Sequence, residues 1–150
     1  MARKVKEAAA VAAPGADDLE VLHPEREVTI AGRKLVVREY GFVEGLQLRP
    51  LYKPIIDSLK PALAEGELPE LEDVLDLLAV HANALPDLIA ASCDQPVEWV
   101  ARHLGLEAGH NLMLVWWGVN GPFFVRSAAG QLLSERVRAL GRAGATSTQP

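Results

Sequence analysis

The chain has 150 residues, of which 49% are hydrophobic and 23% charged, with 15 Lys and Arg against 20 Asp and Glu. That length suits one domain with one core, which needs neither disulfides nor metal to hold it, and the lone Cys93 has no partner for an internal disulfide. A formal net charge of −5 argues against DNA or RNA as the main partner, because phosphate binding is driven by clustered Lys and Arg. No apolar run approaches the ~18 residues that cross a bilayer, the longest strongly apolar one being Leu112 to Trp117, so no membrane span is expected.

The start, Met1-Ala-Arg-Lys-Val-Lys-Glu7, is charged, but the Ala/Val stretch behind it is weakly apolar and runs into Pro14-Gly15, which is not the pattern of an export signal. A cytoplasmic protein with a reduced thiol is expected. Residues 1–21 have few large apolar side chains to offset the entropy of ordering and are expected to form a flexible arm. Residues 142–150 are small and polar and are expected to form a flexible C-terminal tail, leaving 22–141 as a single hairpin-plus-helical domain.

Glu27 to Ile30 and Arg33 to Tyr40 are β-rich runs separated by Ala31-Gly32, the spacing of a tight hairpin with Gly at positive φ. Alternation puts Val28, Ile30, Leu35 and Val37 on the face that should dock on helices. From Val43 the apolar period becomes helical, through Leu48, Leu51, Tyr52, Ile55, Ile56, Leu59 and Leu63. Pro50, Pro54 and Pro61 interrupt it, predicting a kink or restart near 50–54 and an end near Lys60.

After a loop from Ala64 to Glu70, a second stripe runs from Leu71 to Leu85, with Glu70, Glu72, Asp73 and Asp76 crowding its first turn, and Pro86 ends or kinks it. A short helix over Asp87–Cys93 comes next, then one opened by Asp94-Gln95-Pro96 and stopped by Gly105. A further helix from about Leu106 to Val119 meets a joint at Asn120-Gly121-Pro122, and the last helix runs from Pro122 to about Leu140. The expected fold is therefore mainly α: an N-terminal β-hairpin packed on an irregular bundle of five or six short helices.

Chemistry-bearing motifs are scarce. His23, His81, His103, His110 and Cys93 have no paired metal-ligand spacing, and His81 sits in a helix among Leu78, Val80 and Leu85, as a partly buried structural histidine would. There is no G-x-S-x-G, G-x-G-x-x-G or G-x-x-x-x-G-K-[ST] pattern, so neither an enzyme nor a cofactor is expected. The acidic stretch from Glu65 to Asp76 lacks the ligand spacing of a calcium loop and fits a solvated loop and helix start.

The informative segment is Leu112 to Arg126. Adjacent helical residues point ~100° apart, so Trp116 and Trp117 cannot share the centre of one buried stripe, and one of them should sit at its edge. The two Trp and two Phe either close the core or leave one Trp and one Phe as a surface anchor for a partner. Trp99, with Val100, His103 and Leu104, fits a core position.

The order of a hairpin at Val28–Glu39, a Leu/Pro-rich helix, a Leu/Asp helix and the closing run Leu114-Val-Trp-Trp-Gly-Val-Asn-Gly-Pro-Phe-Phe-Val-Arg126 resembles the tail assembly chaperones of long-tailed phages, most of all those of Mu-like phages and related prophages. The resemblance covers roughly 27–126, and its most specific part is Trp117-x-x-Asn120 followed by Phe123-Phe124-x-Arg126. Where that family often has a second basic residue, Ser127 stands. The resemblance implies a non-enzymatic assembly factor of the host bacterial cytoplasm that binds the helical tape-measure protein, keeps it soluble and helps recruit tail-tube subunits. Further copies of the chain are candidate partners too. A longer product made by ribosomal frameshift is common in that family. Helix-in-groove binding would use Trp116, Trp117, Asn120, Phe123, Phe124 and Arg126, with Tyr52 and Ile56 as further contact residues. A small structural tail or head-tail connector protein of the virion is the alternative.

Overall fold

A computed structural model describes residues 25–147. The expected arm, residues 1–21, lies outside the described residues, as do His23 and the last three positions of the expected tail. Two strands, β1 (Glu25–Ile30) and β2 (Arg33–Arg38), form an antiparallel hairpin with Ile30 opposite Arg33. Ala31 and Gly32 make its turn, both at positive φ (50° and 80°), the geometry whose twist matches that of the strands. Ile30, Leu35 and Val37 are buried and Val28 is partly so, as alternation predicts.

Among the described residues the hairpin is followed by four α-helices and one π-helical turn: α1 (Phe42–Ala64), α2 (Leu71–Val80), α3 (Leu85–Cys93), the π-helical turn Trp99–His103 and α4 (Leu106–Ser147). The hairpin packs on α3 and α4, and α1 lies along α4. Ile55, Ile56, Leu59, Leu78, Leu88, Leu112, Trp116 and Phe124 are fully buried between these elements. No single described helix is long and apolar enough to cross a membrane.

Four boundaries differ from expectation, each for a local reason. First, α1 does not restart near 50–54 or end at Lys60. Pro50, Pro54 and Pro61 recur at four and seven, on the face opposite Tyr52, Ile55, Ile56 and Leu59, and all three are exposed. The carbonyls that lose an amide donor there turn toward water. Second, the stripe from Leu71 to Leu85 is broken at His81, and Pro86 falls in the first turn of α3, where its missing N–H costs no bond.

Third, of the two expected N-cap candidates, Asp94 and Gln95, Asp94 instead forms the left-handed cap of α3 (φ 53°), a conformation Asp tolerates better than most residues, while the expected helix does follow Pro96 and stops before Gly105, its Trp99–His103 stretch being π-helical. Fourth, Asn120-Gly121-Pro122 is not a joint: α4 passes through it as one helix of 42 residues. The helix also continues through residues 142–147, where a tail was expected.

Candidate functional groove

The N-terminal half of α1 and the middle of α4 are held apart by a polar node at the end of β2. Arg38 forks onto Glu44 at 2.7 and 3.0 Å, reaches Asp94 at 2.9 and 3.2 Å, and donates to the Ala91 carbonyl at 3.1 Å. These bonds hold the Glu44 and Asp94 carboxyls below their ordinary range and push the Arg38 guanidinium higher still. Glu44 also accepts from the Gly41 N–H at 3.3 Å, so one carboxylate both caps α1 and ties it to β2.

Behind Arg38, its own carbonyl accepts from Ser92 Oγ at 2.6 Å and Asn120 Nδ2 at 3.2 Å. Next to it, Trp116 Nε1 donates to the Tyr40 hydroxyl at 3.0 Å, and that hydroxyl donates to the Leu88 carbonyl. Burial raises the Tyr40 pKa further above its ordinary value, which keeps the phenol protonated as a donor.

In front of this node lies a pocket of about 290 Å³, lined on the α1 side by Phe42, Gly45, Leu46, Arg49 and Tyr52 and on the α4 side by Asn120 and Phe123. The α1 residues fall at helical spacing on one flank of that helix, and Gly45 keeps the floor open because it has no side chain. Phe42 is 82% exposed, Leu46 55% and Phe123 41%. Tyr52 meets Phe123 edge-on at 6.0 Å and stacks on Phe124 at 5.2 Å, so the exposed Phe123 ring is backed by the core. The groove is thus a largely apolar slot with an exposed cation, Arg49, at its side and the acidic Glu39 also in its lining.

Of the residues expected to contact a partner, Tyr52, Asn120 and Phe123 meet in this groove. Trp116, Phe124 and Ile56 are fully buried, and Tyr52 and Asn120 nearly so. The expectation that Trp116, Phe124 and Ile56 form a partner surface is therefore corrected: they are core. Trp117 sits at the core's edge, half-buried, and Arg126 is exposed; neither lines the groove. Phe42, Gly45, Leu46 and Arg49 were missed, although their spacing at three, four and seven was visible beside the buried stripe.

Ser58 Oγ lies 2.8 Å from His81 Nε2 and also donates to the Pro54 carbonyl at 2.9 Å. With its proton on that carbonyl the hydroxyl accepts from the imidazole, which makes this pair a brace between α1 and the end of α2. Burial raises the Cys93 thiol pKa, and its S–H faces the Ile89 carbonyl at 3.2 Å, as in an inert structural thiol. Among the described residues no group of three or more His, Cys, Asp or Glu could hold a metal ion.

Residues 18–150 match DUF6631, a family of unknown function. The chain belongs to the DUF6631 family. No curated protein and no solved structure matches it. The DUF6631 match takes in every residue of the groove and of the polar node behind it.

Proposed function

We propose that this DUF6631 protein is a non-enzymatic phage tail assembly chaperone that binds the helical tape-measure protein, keeps it soluble and helps recruit tail-tube subunits in the host bacterial cytoplasm. The observation that carries this reading is the groove between α1 and α4, where Phe42, Leu46 and Phe123 stay exposed around a pocket whose lining includes the buried Tyr52 and Asn120. Exposed large apolar side chains gathered at a concave site mark a binding surface rather than ordinary surface scatter.

The slot suits the apolar stripe of an amphipathic helix, with anchors at helical spacing entering between Phe42 and Phe123 and an acidic residue of the target meeting Arg49. A tape-measure protein is a long helical target that offers such stripes repeatedly. Many copies along it would gain avidity from weak single contacts. Of the residues that carry the resemblance, Asn120 and Phe123 belong to the groove wall, which supports the same reading.

Co-expression with the tape-measure protein encoded nearby tests the proposal. Soluble partner that co-purifies with this chain, together with absence of the chain from finished particles, is the expected result. An insoluble partner, with this chain found by mass spectrometry in purified virions, would overturn it in favour of a structural connector.

A further inference from the structure

The groove opens beside the point where the chain enters the fold. β1 begins at Glu25, opposite Arg38 in the hairpin register, and Glu39, Tyr40 and Gly41, which follow Arg38, line the groove at the start of α1. From there the lining runs along α1 through Phe42 and Leu46 to Arg49, a rise of about 10 Å. The residues before Glu25, Asp17-Asp18-Leu19-Glu20-Val21-Leu22-His23-Pro24, span up to about 27 Å when extended, more than that reach requires. Pro24 also biases His23 toward extended backbone.

The order of residue types in this segment matches the order in the groove. In an extended chain alternate residues share a side, which groups His23, Val21, Leu19 and Asp17, counted outward from Glu25. Counted outward from Arg38, the groove offers the carboxylate of Glu39, the exposed rings and methyls of Phe42 and Leu46, and the exposed guanidinium of Arg49. Val21 and Leu19 stand about 7 Å apart in an extended chain, and Phe42 and Leu46 about 6 Å apart along α1. Neither Glu39 nor Arg49 forms an ion pair among the described residues.

We propose that residues 17–23 of the chain lie extended along this groove and compete with the partner for it, an inference that rests on reading the groove as the partner site. Val21 seats on Phe42, Leu19 on Leu46, Asp17 meets Arg49 and His23 lies beside Glu39, while Glu20 and Leu22 face outward. Tethering at Glu25 gives the segment an effective concentration in the millimolar range, so weak contacts suffice to hold it. A partner then binds only the fraction of grooves that are open, and its apparent affinity falls by that fraction. The apolar slot stays covered until a helix with better contacts displaces the segment.

Backbone amide NMR of the full chain, with far-UV circular dichroism as the folding control, tests this without a partner. Relative to the wild type, Leu19→Ser with Val21→Ser is expected to shift the amides of Phe42, Gly45, Leu46 and Arg49, and Glu20→Ser with Leu22→Ser to leave them in place. Shifts confined to the neighbours of Glu25, or equal shifts from the two variants, would overturn the proposal. Groove shifts that grow with protein concentration would also overturn it, in favour of the same segment from a second copy. Titrated with the tape-measure protein's helical segments, the Leu19→Ser, Val21→Ser variant is expected to bind at least about threefold more tightly than the wild type, and equal binding would overturn the competition. Groove shifts with no helix binding by either protein would keep the segment in the groove and overturn its reading as the partner site, so the two failures are distinguishable.

Discussion

Asn120 on α4 donates its side-chain amide to the main-chain carbonyl of Arg38, 82 residues earlier, and shares that acceptor with Ser92 on α3. Asn120 also donates to Ser92 Oγ at 3.2 Å, so strand, short helix and long helix meet at one oxygen. Either donor alone still satisfies the carbonyl. Asn120→Leu and Ser92→Ala should therefore each lower unfolding free energy by about 1 kcal/mol, whereas the double variant leaves the carbonyl bare and should lose more than the sum. Urea denaturation of the four proteins measures the coupling, and strict additivity would contradict the shared-acceptor account.

Acid should weaken the polar node in a defined direction. Hydrogen bonds from Arg38 lower the folded-state pKa values of Glu44 and Asp94 from their ordinary 4.5 and 3.8. A depressed folded pKa means stability that is fully present above the ordinary value and lost as pH falls through the folded one. The wild type should lose stability progressively below about pH 4.5, and Arg38→Gln should flatten that slope while lowering stability at pH 7. Because Asp94 is largely exposed, most of the effect should come from Glu44. Thermal melts of both proteins from neutral to acid pH check the sign.

Two glycines of α4 should respond oppositely to alanine. A Cβ at Gly121 would come within 2.7 Å of the Trp117 indole, so Gly121→Ala must displace that ring. A loss of about 1–3 kcal/mol is expected, with a shift in tryptophan emission, and the loss should shrink when Trp117 is also replaced by Leu. Gly118 has open space around it, and Gly118→Ala should stabilise the helix by about 0.5–1 kcal/mol. Equal effects at both positions would contradict the packing of Trp117 on Gly121.

The same segment shows what can and cannot be read from sequence. Local signals made the hairpin legible: Ala31-Gly32 between alternating runs specifies turn, register and buried face together. Local signals also made Asn120-Gly121-Pro122 look like a helix end, yet each residue is there for a tertiary reason. Asn120 bridges to β2, Gly121 makes room for Trp117, and Pro122 is exposed, so the Gly118 carbonyl it leaves without a donor lies on the solvent side. The three prolines of α1 mislead in the same way, because propensity registers the missing N–H but not the face on which it is missing.

The candidate site was half legible for a related reason. Asn120, Phe123 and Tyr52 stood out as chemically distinctive, and they converge on the groove. A buried aromatic and an exposed one look alike in sequence, so Trp116 and Phe124 could be separated from Phe123 only once α1 was in place against α4. Phe42 and Leu46 belong to a stripe that shares α1 with the core stripe, and which of the two is covered depends on where α4 lies.

The groove variants test the account most directly. Phe42→Ser with Leu46→Ser changes the two most exposed apolar side chains of the groove and should leave the thermal midpoint within a few degrees of the wild type. Titrated with the tape-measure protein's helical segments, the wild type should bind, and the double variant should bind at least about tenfold more weakly, corresponding to about 1.4 kcal/mol or more. Equal binding by a folded double variant would contradict the assignment of this groove as the partner site.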